Sequence, residues 1–225
     1  MKAIWIADSR FESVNIPTAR MLVVKNSYLG NSISYAGGET KKPHTIYLEN
    51  CEYPLRTRYS DKFGTGFQIG DNEADIFIYG KAPRQKNVYF GQRGGRMHVF
   101  DAEIVCLDLM GGAYPSELYL KNVVIRGENW KSDNPSINLD RTLIVKGAWE
   151  DVEIYSKVYV KDADIRALTI HNLRFPDGSP WVEANEATFA AMTESDVALD
   201  IPRPPVPTLE ELGIADTPRK KEDIQ

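Results

Sequence analysis

Nine five-residue segments of this chain superpose on one pattern: apolar, variable, apolar, variable, then Asp, Asn or Gly. They are residues 4–8, 22–26, 46–50, 76–80, 97–101, 118–122, 143–147, 158–162 and 168–172. The closing column holds Asp8, Asn26, Asn50, Gly80, Asp101, Asn122, Gly147, Asp162 and Asn172. Those residue types enter left-handed backbone at least cost. A short strand that buries alternate side chains and then turns on such a residue is the unit of a stacked solenoid, not of a closed globular fold.

The spacing predicts coils of uneven length. Measured between Ile6, Val24, Leu48, Ile78, Val99, Leu120, Val145, Val160 and Ile170, the steps are 18, 24, 30, 21, 21, 25, 15 and 10 residues. The longer steps fit one full solenoid turn of two or three strands. The last two are too short, so 158–175 reads as extra strands within a final coil, giving about seven coils over residues 1–175. Loops at 34–43 and 58–66, rich in Gly, Ser and charge, fill the longer gaps.

The character changes after residue 175. Residues 176–180 form a Pro-Asp-Gly-Ser-Pro turn, in which Ser179 can cap a helix and Pro180 suits its first position. Residues 181–195 then read as a helix with Val182, Phe189 and Met192 on one side, and the segment 176–198 is expected to cap the open end of the solenoid. From 199 to 225 the chain is an extended arm stiffened by Pro202, Pro204, Pro205 and Pro207. Leu209, Leu212 and Ile214 follow as an apolar hook expected to dock on another protein subunit. The plainer alternative is a frayed terminus.

Alternation along each strand turns the middle residue of every segment outward. That column is Trp5, Val23, Tyr47, Phe77, His98, Tyr119, Ile144, Tyr159 and Thr169. Such residues suit any exposed sheet face and support one another across strands. The functional reading is a contact lane, through Trp5, Tyr47, Phe77, Tyr119 and Tyr159, for protein subunits or alternatively a glycan.

With 42% hydrophobic residues and a formal charge of -5, the 225-residue chain reads as one soluble domain with appendages. The acidic balance argues against nucleic acid as its main partner. The first repeat starts at Ile4, which leaves no room for a signal peptide, and no apolar run would insert in a membrane. The expected location is a virion or a cytoplasm. Cys51 and Cys106 lie in repeat segments and read as buried reduced thiols. His44, His98 and His171 lack the spacing of metal ligands, and no cofactor is expected.

Catalysis on polysaccharide would need clustered carboxylates. Asp101 with Glu103, Asp162 with Asp164, Asp71 with Glu73 and Asp75, and Glu150 with Asp151 and Glu153 are the candidates. Asp101 and Asp162 already have a role in the turn column, and the acids at 71–75 sit in a polar stretch. The Gly-rich segment 91–96 lacks the Lys-Ser/Thr of a phosphate loop. No catalytic residue is assigned.

The strand, Asn, small residue, strand pattern at 46–51 (Ile-Tyr-Leu-Glu-Asn-Cys) and 118–123 (Leu-Tyr-Leu-Lys-Asn-Val) resembles the pectate-lyase-like, single-stranded right-handed parallel β-helix superfamily. The resemblance covers residues 3–175 and concerns fold alone. It implies that Asn26, Asn50 and Asn122 stack in a two-residue turn, and Asn172 extends the same column. The function expected is that of a non-enzymatic structural protein in a larger assembly, a bacteriophage capsid decoration, head-to-tail or baseplate component. The alternatives are a glycan-binding or glycan-cleaving β-helix and a cytoplasmic scaffold.

Overall fold

A computed structural model describes residues 3–15, 19–34, 45–52, 68–70, 75–80, 88–90, 95–104, 107–109, 116–125, 137–138, 144–155, 158–159, 164–176, 178, 181–182 and 192–215. Strands β1 (Ala3–Ala7), β3 (Met21–Lys25), β5 (Thr45–Glu49), β7 (Asp75–Tyr79), β9 (Gly95–Ile104), β11 (Ser116–Ile125), β13 (Ile144–Ile154), β15 (Asp164–Arg174) and β17 (Thr193–Glu194) form one nine-stranded sheet in that order. The strands between them fall on two smaller sheets, the first three on one and the next five on the other. One is β2 (Arg10–Asn15), β4 (Tyr28–Ser34) and β6 (Gln68–Gly70). The other is β8 (Val88–Phe90), β10 (Leu107–Leu109), β12 (Ile137–Asn138), β14 (Val158–Tyr159) and β16 (Trp181–Val182). Every neighbouring pair is parallel, which defines a parallel β-solenoid.

Two apolar columns line its inside. Ile4, Leu22, Ile46, Ile76, Met97 and Leu118 stand opposite one another strand by strand, as do Ile6, Val24, Leu48, Ile78, Val99 and Leu120. From β3 to β11 all of these are essentially fully buried in one core cluster. After the corner the alternation resumes, and Val123, Ile125, Val152 and Ile154 are buried in the same core.

The corner is built by left-handed residues. Asp8, Asn26, Asn50, Asp101, Asn122, Asp151 and Asn172 have φ between 47 and 54°, and Gly80 has φ 93°. Four are held by the backbone of the next level: the amides of Asp8, Asn26, Asn50 and Gly80 donate to the carbonyls of Lys25, Glu49, Tyr79 and Phe100. Side chains extend the ladder, with Asn26 donating to Asp8 at 3.3 Å and Asn122 to Asp101 at 2.7 Å. Asn172 donates to Asp151 in the same way. The Asn50 side chain lies over Gly80, where an added Cβ would fall 2.0 Å from its Oδ1.

Three sequence expectations need correction. Gly147 is not a corner residue: it faces Leu118 within the strand, and Asp151 turns the corner. The true segment, Gly-Ala-Trp-Glu-Asp at 147–151, has no first apolar residue and so escaped the pattern. A Cβ on Gly147 would stand 1.8 Å from the Leu118 carbonyl oxygen, so the backbones approach too closely for a side chain. The fully buried Trp149 occupies the other inward position of that strand. Leu143 lies outside the described residues, and a register shift between Ile144 and Lys146 marks the irregularity.

The segment 158–162 does not join the stack, because Val158 and Tyr159 belong to β14 in the five-stranded sheet; Asp162 lies outside the described residues. The expected capping helix starts and ends on strand: Trp181–Val182 pairs with β14 and Thr193–Glu194 with β15. Residues 183–191 lie outside the described residues. The described strands form sheets of nine, five and three.

Leu120→Ala removes a fully buried side chain and should lower unfolding free energy by about 2–5 kcal/mol. Gly147→Ala should cost more than Gly80→Ala in urea unfolding, because the first collides with backbone and the second with the movable tip of Asn50.

Candidate interaction face

The outward column of the nine-stranded sheet is a continuous ring stack. Tyr47 lies on Phe77 at 5.1 Å between centroids, Phe77 on His98 at 4.6 Å and His98 on Tyr119 at 4.5 Å, with interplanar angles of 16, 19 and 8°. A second pair, Tyr79 on Phe100 at 5.3 Å, stands beside it. Parallel in-register strands dictate this, since each level repeats the same outward position directly above the last. Trp5 carries the column to β1, with the Lys25 ammonium 5.3 Å from its ring. Ala148 and Thr169 continue it beyond Tyr119, so the aromatic stretch ends there. Tyr159 is in another sheet and takes no part.

The C-terminal arm lies along this face. The Leu199 amide donates to Glu150 of β13, and Ile201 is buried in one apolar cluster with Val23, Tyr47, Tyr79 and Phe100. Arg203 pairs with Asp101, and its guanidinium sits 5.5 Å from the Tyr79 ring and 5.4 Å from the Phe100 ring. The Tyr79 hydroxyl donates to the Pro204 carbonyl at 2.6 Å. Val206 and Leu212 join the same apolar cluster. Pro205, Pro207 and Leu212 border a cavity of about 560 Å³ together with Ala3 and Met21. The arm therefore crosses the strands in reverse order, from β13 back to β1.

Its far end is locally ordered. Thr208 and Glu211 form a capping box: the Glu211 carboxylate accepts from the Thr208 amide at 2.7 Å, and the Glu211 amide donates to Thr208 Oγ1 at 3.2 Å. These bonds hold the exposed Glu211 carboxyl below the usual carboxylate range. Gly213, with φ 65°, ends the turn, and Ile214 donates to the Leu209 carbonyl. The hook of Leu209, Leu212 and Ile214 was expected on another subunit, yet Leu212 packs on this chain's own sheet. The reason is area: Val23, Tyr79 and Phe100 would otherwise present a broad apolar face to water.

Beside the arm a groove of about 550 Å³ remains, lined by Asp75, Phe77, Arg96, His98, Glu117 and Tyr119 and walled by Pro202, Arg203 and Pro204. Arg96 is bidentate to Asp75 at 2.6 and 2.7 Å, which raises its pKa. The Tyr119 hydroxyl donates to Glu117 at 3.0 Å. His98 is 8% exposed and its Nδ1 has no hydrogen-bond partner among the described residues. Burial, assisted by Arg96 and opposed by Asp75 and Glu117, pulls its pKa down to about 4. The imidazole is therefore neutral at pH 7.

Several of the candidate catalytic carboxylates have structural partners. Asp101 holds Asn122 and Arg203, and Asp75 holds Arg96. The buried Glu150 holds Lys121 at 2.7 Å and the arm, while Glu153 holds Arg174 at 2.7 Å. Asp71, Glu73 and Asp162 lie outside the described residues. Among the described residues no three His, Cys, Asp or Glu side chains converge as a metal site, and no helix is long and apolar enough to cross a membrane. Cys51 is a buried thiol whose pKa burial pushes up to about 12, so it stays protonated; Cys106 lies outside the described residues.

Tyr79, Phe100, Glu150 and Arg203 carry the arm contact; none of them was assigned to binding from the sequence, where Glu150 is only a candidate carboxylate. Two adjacent aromatics in the flanking column, opposite a Pro-rich arm with an Arg, were the available signal. Comparison with protein-family models, with curated proteins and with solved structures returns no match.

Glu150→Leu leaves the Leu199 amide without its charged acceptor, a loss of about 1.5–3 kcal/mol. Proteolysis within 195–215 should accelerate roughly tenfold or more, read by limited digestion. The depressed His98 pKa sets a pH window. Between the ordinary 6.5 and about 4 the unfolded chain binds a proton that the folded chain refuses, so stability falls as pH falls through that window. The effect is roughly 3 kcal/mol at most. His98→Phe should remove that part of the pH dependence of melting.

Proposed function

We propose that this chain is a non-enzymatic structural protein of a larger assembly, a bacteriophage virion component such as a capsid decoration, head-to-tail or baseplate protein. The observation that carries the reading is the closure of the aromatic face by the chain's own terminus. A solenoid whose acidic groups bind its own corners and arm is suited to bearing load, not to turnover. We carry the resemblance to the pectate-lyase-like superfamily into the same proposal, supported by the Asp and Asn ladder at the corner. Docking to other subunits then falls to the part of the face that the arm leaves partly open, Trp5, Phe77 and Tyr119.

The groove beside the arm favours a second reading, glycan binding, because carboxylates, an Arg and a Tyr hydroxyl surround it. Sugars stack on ring faces. Here the faces of Phe77 and His98 are covered by their neighbours in the stack, which leaves ring edges for a ligand. That ranks the structural reading first.

Gradient-purified phage particles from the organism that encodes the chain should contain it at a stoichiometric copy number by mass spectrometry. The purified protein should release no products from uronic-acid or neutral polysaccharides, with or without calcium. Absence from particles, or turnover that is lost on changing Asp101 or Glu103, would contradict the reading; saturable glycan binding without turnover would favour the second.

A further inference from the structure

Among the described residues the N-terminal end of the nine-stranded sheet is an open edge. Strand β1 is the first in the sheet order and pairs only with β3 among the described strands. In β3 and β5 the three central residues are buried, whereas all five residues of β1 are partly exposed. Soluble proteins blunt such edges with charge, Pro or a bulge. Ala3-Ile4-Trp5-Ile6-Ala7 has none of these. Among the described residues the arm comes beside this strand only at Ala3.

This strand is also a palindrome about Trp5. An antiparallel copy of it sets Ala3 against Ala7, Ile4 against Ile6 and Trp5 against Trp5, so both inward positions meet an identical side chain and the core continues across the junction. In sequence the palindrome is flanked by residues of opposite charge, Lys2 and Asp8. Stacking head to tail offers no such match. The last strand of the sheet, Thr193–Glu194, is two residues long, exposed and polar.

We propose that β1 is a self-pairing edge on which a second copy of this chain docks antiparallel about a two-fold axis at Trp5, joining two nine-stranded sheets into one. The interface is isologous and closes at two copies. Its outward centre is the Trp5 pair, an aromatic cross-strand contact of the kind that stabilises antiparallel sheets.

The full chain should sediment as a concentration-dependent dimer in analytical ultracentrifugation. Trp5→Lys and Trp5→Glu each set like charges face to face across the two-fold and should be monomeric, with melting curves confirming that they fold. Mixed in equal amounts they should recover the dimer. Should either variant fail to fold, Trp5→Cys replaces the pair: it should give a covalent dimer on mild oxidation while the unaltered chain does not. A wild-type monomer at all concentrations overturns the proposal, as do variants that remain dimeric, a mixture that stays monomeric, or a ladder of larger species, which would signify head-to-tail stacking.

Discussion

Every level of this molecule turns the same corner at the same height, and the left-handed residue at that corner is the constraint on which the rest depends. An ordinary side chain resists φ near 50°, so the corner selects Asp, Asn or Gly. Because the corner amides of Asp8, Asn26, Asn50 and Gly80 are bound by carbonyls of the next level, the corners also fix register. A one-residue slip would send the inward columns outward and expose a whole row of Leu, Ile and Val. The Asp to Asn pairs at 8 and 26, 101 and 122, and 151 and 172 reinforce that register at the surface, where single hydrogen bonds contribute only about a kcal/mol each.

Register in turn creates the aromatic face. Identical outward positions repeat one strand apart, so Tyr47, Phe77, His98 and Tyr119 have to stack once they are aromatic. The same geometry produces the neighbouring Tyr79 and Phe100 pair, which is the floor on which Ile201, Arg203 and Pro204 rest. The arm covers apolar area that a bare sheet would present to water, and its prolines reduce the entropy lost when it is ordered. Glu150 anchors the start of the arm, Arg203 binds the corner residue Asp101, and Leu212 lies near β1. One strap thus ties late levels of the solenoid to early ones, which sheet hydrogen bonds alone connect only through their immediate neighbours.

The solenoid and seven of the eight corner residues between Asp8 and Asn172 were legible in the sequence, because period-two burial and a left-handed turn residue are both written locally. The level at Gly147–Asp151 was not. There the first apolar residue is replaced by a glycine that the Leu118 carbonyl demands, and no pattern of side chains can display a backbone contact. The two ends of the expected cap helix failed for a related reason: amphipathic spacing over 181–195 is compatible with helix, but the solenoid's edges recruited Trp181–Val182 and Thr193–Glu194 as strand. The lane itself was visible, as Trp5, Tyr47, Phe77 and Tyr119. Its occupant was not, since a Pro-rich arm with an apolar hook reads the same whether it binds its own sheet or a neighbour's.

The central claim is that the arm is an intramolecular strap. Thermal melting of the chain ended at residue 200 tests it most directly. The account predicts a lower melting temperature than that of the full chain, with new binding of an apolar dye to the uncovered Tyr79 and Phe100. A melting curve that superposes on that of the full chain, with no dye binding, would contradict it.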